Sequence, residues 1–341
     1  MNLEIIGITV LGMFLFGYII IASIDFGAGF FNAYSTVRGK QHILTKIIQR
    51  YLSPVWEVTN VFLVFFFVGM VGFFPKTAYY YGTVLLVPAS IAIILLAIRG
   101  SYYAFTTYGG LKHKRYVVLY GLSGLLIPAS LSIVLTISEG GFVTIEDSGP
   151  VLDYWVLFTS PLSWSIVVLS LTAVLYISAV FLTWYAHQAK DEAATNLMRK
   201  YALIWAAPAI IAAAGIIVEL RIHNPEHYQR LIDLWWLFAL SVAFFIGTVY
   251  FVWKRHSYWL AFWLLIGQFS LAFLAYGISH YPYLLYPYLS IYDSFTNETM
   301  ATALIIAFIA GLGLLLPSLY LLLKLFLFNK EYVQGKRNDH V

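Results

Sequence analysis

Residues 304–323 read LIIAFIAGLGLLLPSLYLLL and contain no charged side chain. An α-helix rises about 1.5 Å per residue, so this run covers about 30 Å, the thickness of the hydrocarbon core of a bilayer. A strand of a membrane β-barrel would instead show about ten residues of alternating polarity. The segment therefore predicts a membrane-spanning α-helix.

The composition of the whole chain agrees with this segment. Of its 341 residues, 61% are hydrophobic and 11% are charged, whereas soluble proteins are about 25% charged. The formal net charge of +4 comes from basic residues scattered over short loops, which argues against a nucleic-acid surface. The absence of cysteine excludes iron–sulfur clusters and thiolate-bound metals in this chain. The sequence predicts an all-α, polytopic integral membrane protein.

Nine long apolar stretches predict nine transmembrane helices in a single integral membrane domain of residues 1–341. The first four spans, within 5–138, and the next four, within 162–280, are expected to form two four-helix bundles, with the ninth helix at the periphery. The predicted cores of the spans are 5–34, 54–74, 79–106, 117–138, 162–186, 201–220, 234–253, 258–280 and 299–328.

Lysine and arginine residues indicate which loops face the cytoplasm, because basic residues are retained on that side of short loops. Alternate loops contain most of them, whereas the opposite loops contain Lys76, Arg221 and Arg230. We therefore expect the N-terminus outside and the C-terminus in the cytoplasm. The basic loops and tail contain Arg38, Lys40, Lys46, Arg50, Lys112, Lys114, Arg115, Lys190, Arg199, Lys200, Lys254, Arg255, Lys324, Lys330, Lys336 and Arg337.

Three ionisable side chains lie inside predicted spans, where each charge costs about 2.5–3.5 kcal/mol to insert. Asp25 is late in the first span, Glu57 is early in the second and Arg99 is late in the third. Because alternate helices run in opposite directions, all three fall in the cytoplasmic part of the bilayer and could meet. One carboxylate can then pair with Arg99, while the other is left to bind and release a proton.

Thr59 and Asn60 lie next to Glu57 in sequence and could extend a hydrogen-bonded proton path from it. The alternative role for the three ionisable residues is structural, because polar contacts between membrane helices contribute about 0.6–2 kcal/mol each. In that case the trio holds the first three helices together and conducts nothing. The sequence leaves both roles open.

The eight histidines lie in predicted loops, in the tail or at outer boundaries of spans. Haems within membranes are usually held by His or Met at depth, and the sequence offers no such histidine. It also lacks the His-Glu-x-x-His motif that is typical of a helical zinc site. We therefore expect no catalytic residue, no metal site and no haem ligand on this chain.

Three segments together match the pattern of a known family. The segments are IDFGAG at 24–29, WEVTNV at 56–61, and the stretch from Phe74-Pro75 to Arg99-Gly100. They resemble subunit II of the cytochrome bd-type quinol oxidases. In the second segment, Trp56 and Val61 match the family pattern, and Glu57 stands where the family has Asp. The resemblance covers nearly the whole chain, and this family has nine spans with the N-terminus outside.

The resemblance implies a respiratory-chain quinol:oxygen oxidoreductase in the bacterial cell membrane, which reduces oxygen to water. A paralogous subunit I would hold haems b and d and oxidise the quinol, and a small single-span accessory subunit could join the complex. This chain would support the haem-bearing subunit, contact membrane lipid and bind no cofactor by ligation.

The resemblance also gives Asp25 and Glu57 a role, because they match positions of a cytoplasmic proton pathway, with Trp56 and Arg99 beside them. The alternative function is a proton-coupled secondary transporter, in which the same carboxylates couple proton binding to solute movement. Purification with a coloured partner chain would favour the oxidase, and solute uptake by this chain alone would favour the transporter.

Overall fold

The computed structural model describes residues 2–39, 41–108, 114–147, 149–327, 329 and 333–334, with the backbone alone for 41–42, 46, 49–58, 106–108 and 326–327. Within these residues the chain forms twelve α-helices and two short hairpins. The helices are α1 Leu3–Val37, α2 Gln41–Phe73, α3 Pro75–Val84, α4 Leu86–Tyr108, α5 Lys114–Ser138, α6 Tyr154–Thr159, α7 Pro161–Gln188, α8 Glu192–His223, α9 Pro225–Asp233, α10 Trp235–Trp253, α11 Tyr258–His280 and α12 Glu298–Leu322, which continues as a π-helix over Leu323–Leu327.

Several helices begin at a side chain that replaces a missing backbone partner. Asp153, Asp191, Asn224 and Asn297 precede α6, α8, α9 and α12, and each accepts a hydrogen bond from the backbone N–H three residues later. Such capping satisfies one of the donors that a helix N-terminus leaves unpaired. These short polar residues therefore set the points at which the chain enters its helices.

The helices confirm the prediction of an all-α polytopic membrane protein. Among the described residues, eight helices are long and apolar enough to cross a membrane. A ninth span results if the bent pair Thr59–Phe73 and Pro75–Val84 is counted as one. The eight are α1, α4, α5, α7, α8, α10, α11 and α12.

The third predicted span, 79–106, differs from the structure at its beginning. Residues up to Val84 belong to the short helix α3, which is bent by 119° from α2, and the spanning helix α4 begins at Leu86. Phe74 has a non-helical backbone between α2 and α3, and Pro75 starts α3. Proline lacks the N–H that would continue α2, but it suits the first turn of a new helix. Hydropathy alone merged two helices that the backbone separates.

The helices pack as two groups of four. In the first group, α1 contacts α2 and α5, and α5 contacts α4. In the second group, α7 contacts α8 and α11, and α10 contacts both α8 and α11. The groups meet where α7 packs against α1 and α5, while α12 lies against α1 and α2. The second half of α7 is buried without a break, with every residue from Val174 to Ala186 shielded.

Two antiparallel hairpins, which the helical pattern did not predict, lie in the connections. Strands β1 Val143–Glu146 and β2 Gly149–Leu152 follow α5, and strands β3 Tyr283–Leu285 and β4 Leu289–Ser290 follow α11. The backbone N–H of Tyr286 donates a hydrogen bond to the carbonyl of Ser138. The second hairpin is thus tied to the C-terminal end of α5.

Candidate functional site

Asp25 in α1 and Arg99 in α4 form an ion pair inside the helix bundle. Their side chains are 2% and 0% exposed, and Nη2 of Arg99 lies 3.0 Å from Oδ2 of Asp25. Nε of Arg99 donates a hydrogen bond of 3.2 Å to the same oxygen, and Nη2 donates another of 2.9 Å to the Asp25 carbonyl. Two of the three ionisable residues that the sequence placed at one depth are therefore in direct contact.

Tyr120 in α5 completes this arrangement, and we call Asp25, Arg99 and Tyr120 the Asp25 cluster. The Tyr120 hydroxyl donates a hydrogen bond of 3.2 Å to Oδ1 of Asp25, and its carbonyl accepts one of 2.9 Å from Nη1 of Arg99. The guanidinium also lies over the Tyr120 ring, 3.7 Å from its centroid, a favourable contact between a cation and a π-system. The cluster therefore joins α1, α4 and α5, and both charged groups have several partners.

A glycine makes room for the buried guanidinium. A Cβ atom at Gly124 would lie 2.6 Å from the Phe26 carbonyl oxygen and 3.0 Å from Nη1 of Arg99. Neither α1 nor the trapped guanidinium can move away easily, so glycine permits the close approach of α5 to α1. Neither Gly124 nor Tyr120 could be identified from the sequence, because the contacts that define them are between helices.

The remaining predicted site residues lie in α2. The side chains of Trp56 and Glu57 are outside the described residues, so the expected meeting of Glu57 with Asp25 stays a prediction. Thr59 is buried, with 3% exposure, and Asn60 is half-buried; both have interaction partners. Because α2 packs against α1, this part of the chain lies beside the helix that contains Asp25.

A second buried polar group lies beyond the opposite end of α5. Glu139 follows the last residue of α5, His227 is in α9, and Tyr276 and His280 are in α11; we call these four residues the Glu139 cluster. Nδ1 of His227 lies 2.8 Å from Oε2 of Glu139, and the Tyr276 hydroxyl donates a hydrogen bond of 2.6 Å to Oε1. From Tyr120 to Glu139 the rise along α5 is about 28 Å at 1.5 Å per residue.

The electrostatics of Glu139 depend on these neighbours. Burial raises the pKa of the Glu139 carboxyl, but the hydrogen bonds from His227 and Tyr276, together with the electrostatic effect of His227 and His280, hold the pKa below its ordinary value. The ionised carboxylate accepts hydrogen bonds and cannot donate them, so Nδ1 of His227 carries the proton between the two groups. Nε2 of His227 lies 2.8 Å from the Ser279 hydroxyl, which fixes the ring from its other side.

The Glu139 cluster was not predicted from the sequence, because its members are far apart in the chain. Glu139 and His227 are 88 residues apart, and no short motif connects them. A usable signal was present: Glu139, His227 and His280 all fall at the same side of the membrane in the predicted topology. Three such groups at the ends of packed helices can meet, although each looks peripheral by itself.

The fold and the Asp25 cluster define a polytopic α-helical membrane protein that keeps a compensated ion pair inside a helix bundle. Residues 3–326 match the family model described as cytochrome bd terminal oxidase subunit II. The chain belongs to this family and is therefore a subunit of a quinol oxidase complex, an oxidoreductase of the respiratory chain.

Individual relatives agree with the family model. A Bacillus subtilis (strain 168) protein with the provisional name cytochrome bd menaquinol oxidase subunit II is 33% identical over 340 residues, which is 97% of each chain. The solved structure of bd oxidase from Geobacillus thermodenitrificans contains a chain that is 68% identical, with a TM-score of 0.85, covering 96% of this chain and 100% of that one. This similarity supports the oxidase prediction over the transporter alternative.

Proposed function

We propose that this chain supports a haem-bearing partner, subunit I, and brings protons to it from the cytoplasmic side through the region of the Asp25 cluster. Haems b and d on the partner would supply electron transfer and oxygen reduction. Among the described residues, histidines lie at helix ends or in connections, as His187, His223 and His256 do, away from the middle of the spans. This distribution supports a division of labour in which the haem ligands belong to the partner.

The charges near Asp25 support a proton-binding role for α2. Asp25 and Arg99 compensate each other at 3.0 Å, and protonating Asp25 would leave a guanidinium unpaired in an apolar interior, which is costly. An ionised Glu57 beside this pair would make the trio −1, and one proton would return it to zero. We therefore assign the change of protonation to Glu57, and the fixed compensating charges to Asp25 and Arg99.

The polar residues around this trio extend the proposed route. Thr59 and Asn60 follow Glu57 in α2, and the Tyr120 hydroxyl bonded to Asp25 continues the path toward α5. The Tyr102 ring lies 4.6 Å from the Tyr120 ring. Trp56 is proposed to pack beside Glu57 and limit its access to water.

The direction of the route rests on the distribution of basic residues. Arg38, Lys190 and Lys254 lie just beyond the ends of α1, α7 and α10, which we assign to the cytoplasmic face of the bacterial cell membrane. Asp25 is twelve residues before the end of α1, or about 18 Å at 1.5 Å per residue. The route would therefore begin at the cytoplasm and reach well into the bilayer.

We also propose a quinol of the menaquinol class as the electron donor of the complex. The support is the name of the Bacillus subtilis relative, to which the chain is similar over 97% of its length. The small single-span accessory subunit that the family resemblance implies stays a prediction. Reduction of quinone-free complex with menaquinol and with ubiquinol analogues would test the quinol class.

The decisive test compares assembly with turnover in the purified complex. We expect Glu57→Gln and Asp25→Asn to slow oxygen consumption and proton uptake about tenfold, equivalent to roughly 1.4 kcal/mol of barrier. Complex yield, gel filtration and the haem spectrum report assembly separately. Glu4→Gln, a carboxylate change near the start of the same α1 helix, is the matched control and should leave turnover unchanged.

Two results would contradict the proton route. In the first, both variants assemble and consume oxygen at the original rate. In the second, Asp25→Asn fails to assemble, while the double variant Asp25→Asn with Arg99→Gln restores both assembly and full turnover. The second result would assign the Asp25 cluster to helix packing alone.

A further inference from the structure

His280 is a buried imidazole whose nitrogens have no hydrogen-bond partner among the described residues. The residue is 9% exposed and ends α11. Buried polar atoms are nearly always paired with protein, water or an ion, so an unpaired one asks for an explanation. Nδ1 of His280 lies 3.8 Å from Oε1 of Glu139, which is too long for a hydrogen bond but suits two ligands of one ion.

The atoms around His280 have the composition of a metal site. One oxygen of Glu139 and one nitrogen each of His227 and His280 lie within 4.8 Å of one another, and all three residues are buried. We propose that Glu139, His227 and His280 bind one divalent transition-metal ion of the zinc class. This site is separate from the proposed proton route, and it does not depend on that route.

The donor set selects the class of ion. Two imidazoles and one carboxylate are ligands that zinc accepts, with bonds of about 2.0–2.2 Å and a fourth position left for water. Calcium and magnesium prefer six or more oxygen ligands. This group offers a single carboxylate, that of Glu139, and two imidazoles. Arg230, whose Nε donates a hydrogen bond of 2.8 Å to the Ser279 carbonyl, adds a nearby positive charge. That charge repels a cation that imidazole binds only weakly, whereas a cation that imidazole binds tightly can still be held.

The distances require a small adjustment on binding. In a tetrahedral zinc site neighbouring ligand atoms are about 3.3 Å apart, as the bond lengths imply. Nδ1 of His227 is now 3.1 Å from Oε1 of Glu139, and Nδ1 of His280 is 3.8 Å from the same oxygen. These distances therefore change by at most about half an ångström. The ion would replace the hydrogen bond between His227 and Glu139, and Nδ1 of His227 would lose its proton.

A second layer of contacts already orients the ligands. The Ser279 hydroxyl lies 2.8 Å from Nε2 of His227, and Nδ2 of Asn224 donates a hydrogen bond of 3.3 Å to Oε2 of Glu139. The rings of Tyr276 and His280 stack, with 5.7 Å between centroids. Outer contacts of this kind fix ring orientation in metal sites and affect affinity.

The experiment measures metal content without relying on turnover. The purified complex is stripped with EDTA, dialysed against Zn²⁺ and analysed by mass spectrometry for bound zinc. We expect the His280→Phe complex to bind one zinc ion fewer than the unaltered complex, or to bind that ion at least about tenfold more weakly. Phenylalanine keeps a ring against Tyr276 and removes the two unpaired nitrogens, so assembly should be retained.

The matched control is His223→Phe. His223 is at the end of α8, and its Nε2 atom lies 2.9 Å from the Gly140 carbonyl, so it tests a nearby histidine outside the proposed ligand set. Zinc content should be unchanged in this variant. Equal zinc content and affinity in the unaltered, His280→Phe and Glu139→Gln complexes would overturn the proposal. Glu139→Gln provides an independent test if His280→Phe does not assemble, because glutamine retains an acceptor for Tyr276.

Discussion

The Asp25 cluster and the Glu139 cluster are two solutions to the burial of a carboxylate in one helical protein. Asp25 is compensated by a guanidinium, which is permanently charged and donates to three oxygens. Glu139 is compensated by imidazole and phenol groups, and the nitrogens of His280 nearby have no hydrogen-bond partner in the part of the chain that the structure describes. Arginine remains protonated at any accessible pH, whereas histidine can give up its proton or bind a metal.

This difference matches the depths of the two clusters. The Asp25 cluster lies within the spans α1, α4 and α5, where an unpaired charge is most costly. Glu139 lies just beyond the end of α5, and His227 is in the short helix α9. A permanent ion pair therefore suits the first position, and adjustable partners suit the second. The comparison predicts that breaking the two clusters has unequal consequences.

Removal of the permanent cation should have the largest effect. We expect Arg99→Gln to destabilise the subunit by about 3–5 kcal/mol, because it leaves Asp25 as an unpaired buried charge. Complex yield and the midpoint of SDS-induced dissociation would measure the loss. The double variant with Asp25→Asn should recover most of it. His227→Gln should cost less, since a side-chain amide can still donate to Glu139; a greater loss for His227→Gln would reverse the comparison.

An added methyl group should destabilise the protein near the Asp25 cluster but not near the Glu139 cluster, because the two regions differ in packing. Gly124→Ala places a Cβ against the Phe26 carbonyl and the Arg99 guanidinium, and overpacking of this kind costs about 1–3 kcal/mol. Gly277→Ala, in α11 beside the Glu139 cluster, places a Cβ that meets no atom of the described residues within 4 Å, so it should be neutral or slightly stabilising. The same dissociation assay would compare them, and equal midpoints would show that α5 and α1 can separate freely.

Removal of the tyrosine hydroxyls should give the smallest difference in stability between the two clusters. Tyr276→Phe removes a hydrogen bond of 2.6 Å to the Glu139 carboxylate, expected to be worth about 1.5–3 kcal/mol. Tyr120→Phe removes one of 3.2 Å to Asp25, from a carboxylate that retains its arginine, and should cost about 1 kcal/mol. A double-mutant cycle with each carboxylate would isolate the two bonds. A stronger coupling at Tyr120 would contradict the ranking.

Part of the Asp25 cluster could be predicted from the sequence. Charges are rare at membrane depth, and alternate helix directions bring Asp25 and Arg99 to one level, so their contact follows from topology. Tyr120 could not be identified, because tyrosine is frequent in this chain, with 26 copies. Its role depends on which face of α5 meets α1 and α4.

The Glu139 cluster could not be predicted from local patterns. Glu139, His227 and His280 belong to three separate parts of the chain, and no short spacing connects them. The bend between α2 and α3 was hidden for a related reason. A hydropathy window records the polarity of a stretch but not the direction of its axis, so it joined the end of α3 to α4.

The amino-acid sequence alone determines that this chain is a helical membrane protein, because a polypeptide with 61% hydrophobic residues and long uncharged runs must satisfy its backbone polar groups internally within lipid. Its motifs also indicate the bd oxidase family, to which the chain belongs. Tertiary structure decided which charges are compensated and which imidazole nitrogens are left unpaired. Those outcomes depend on contacts of a few ångströms between helices distant in sequence, and hydrogen bonding is sensitive to such distances.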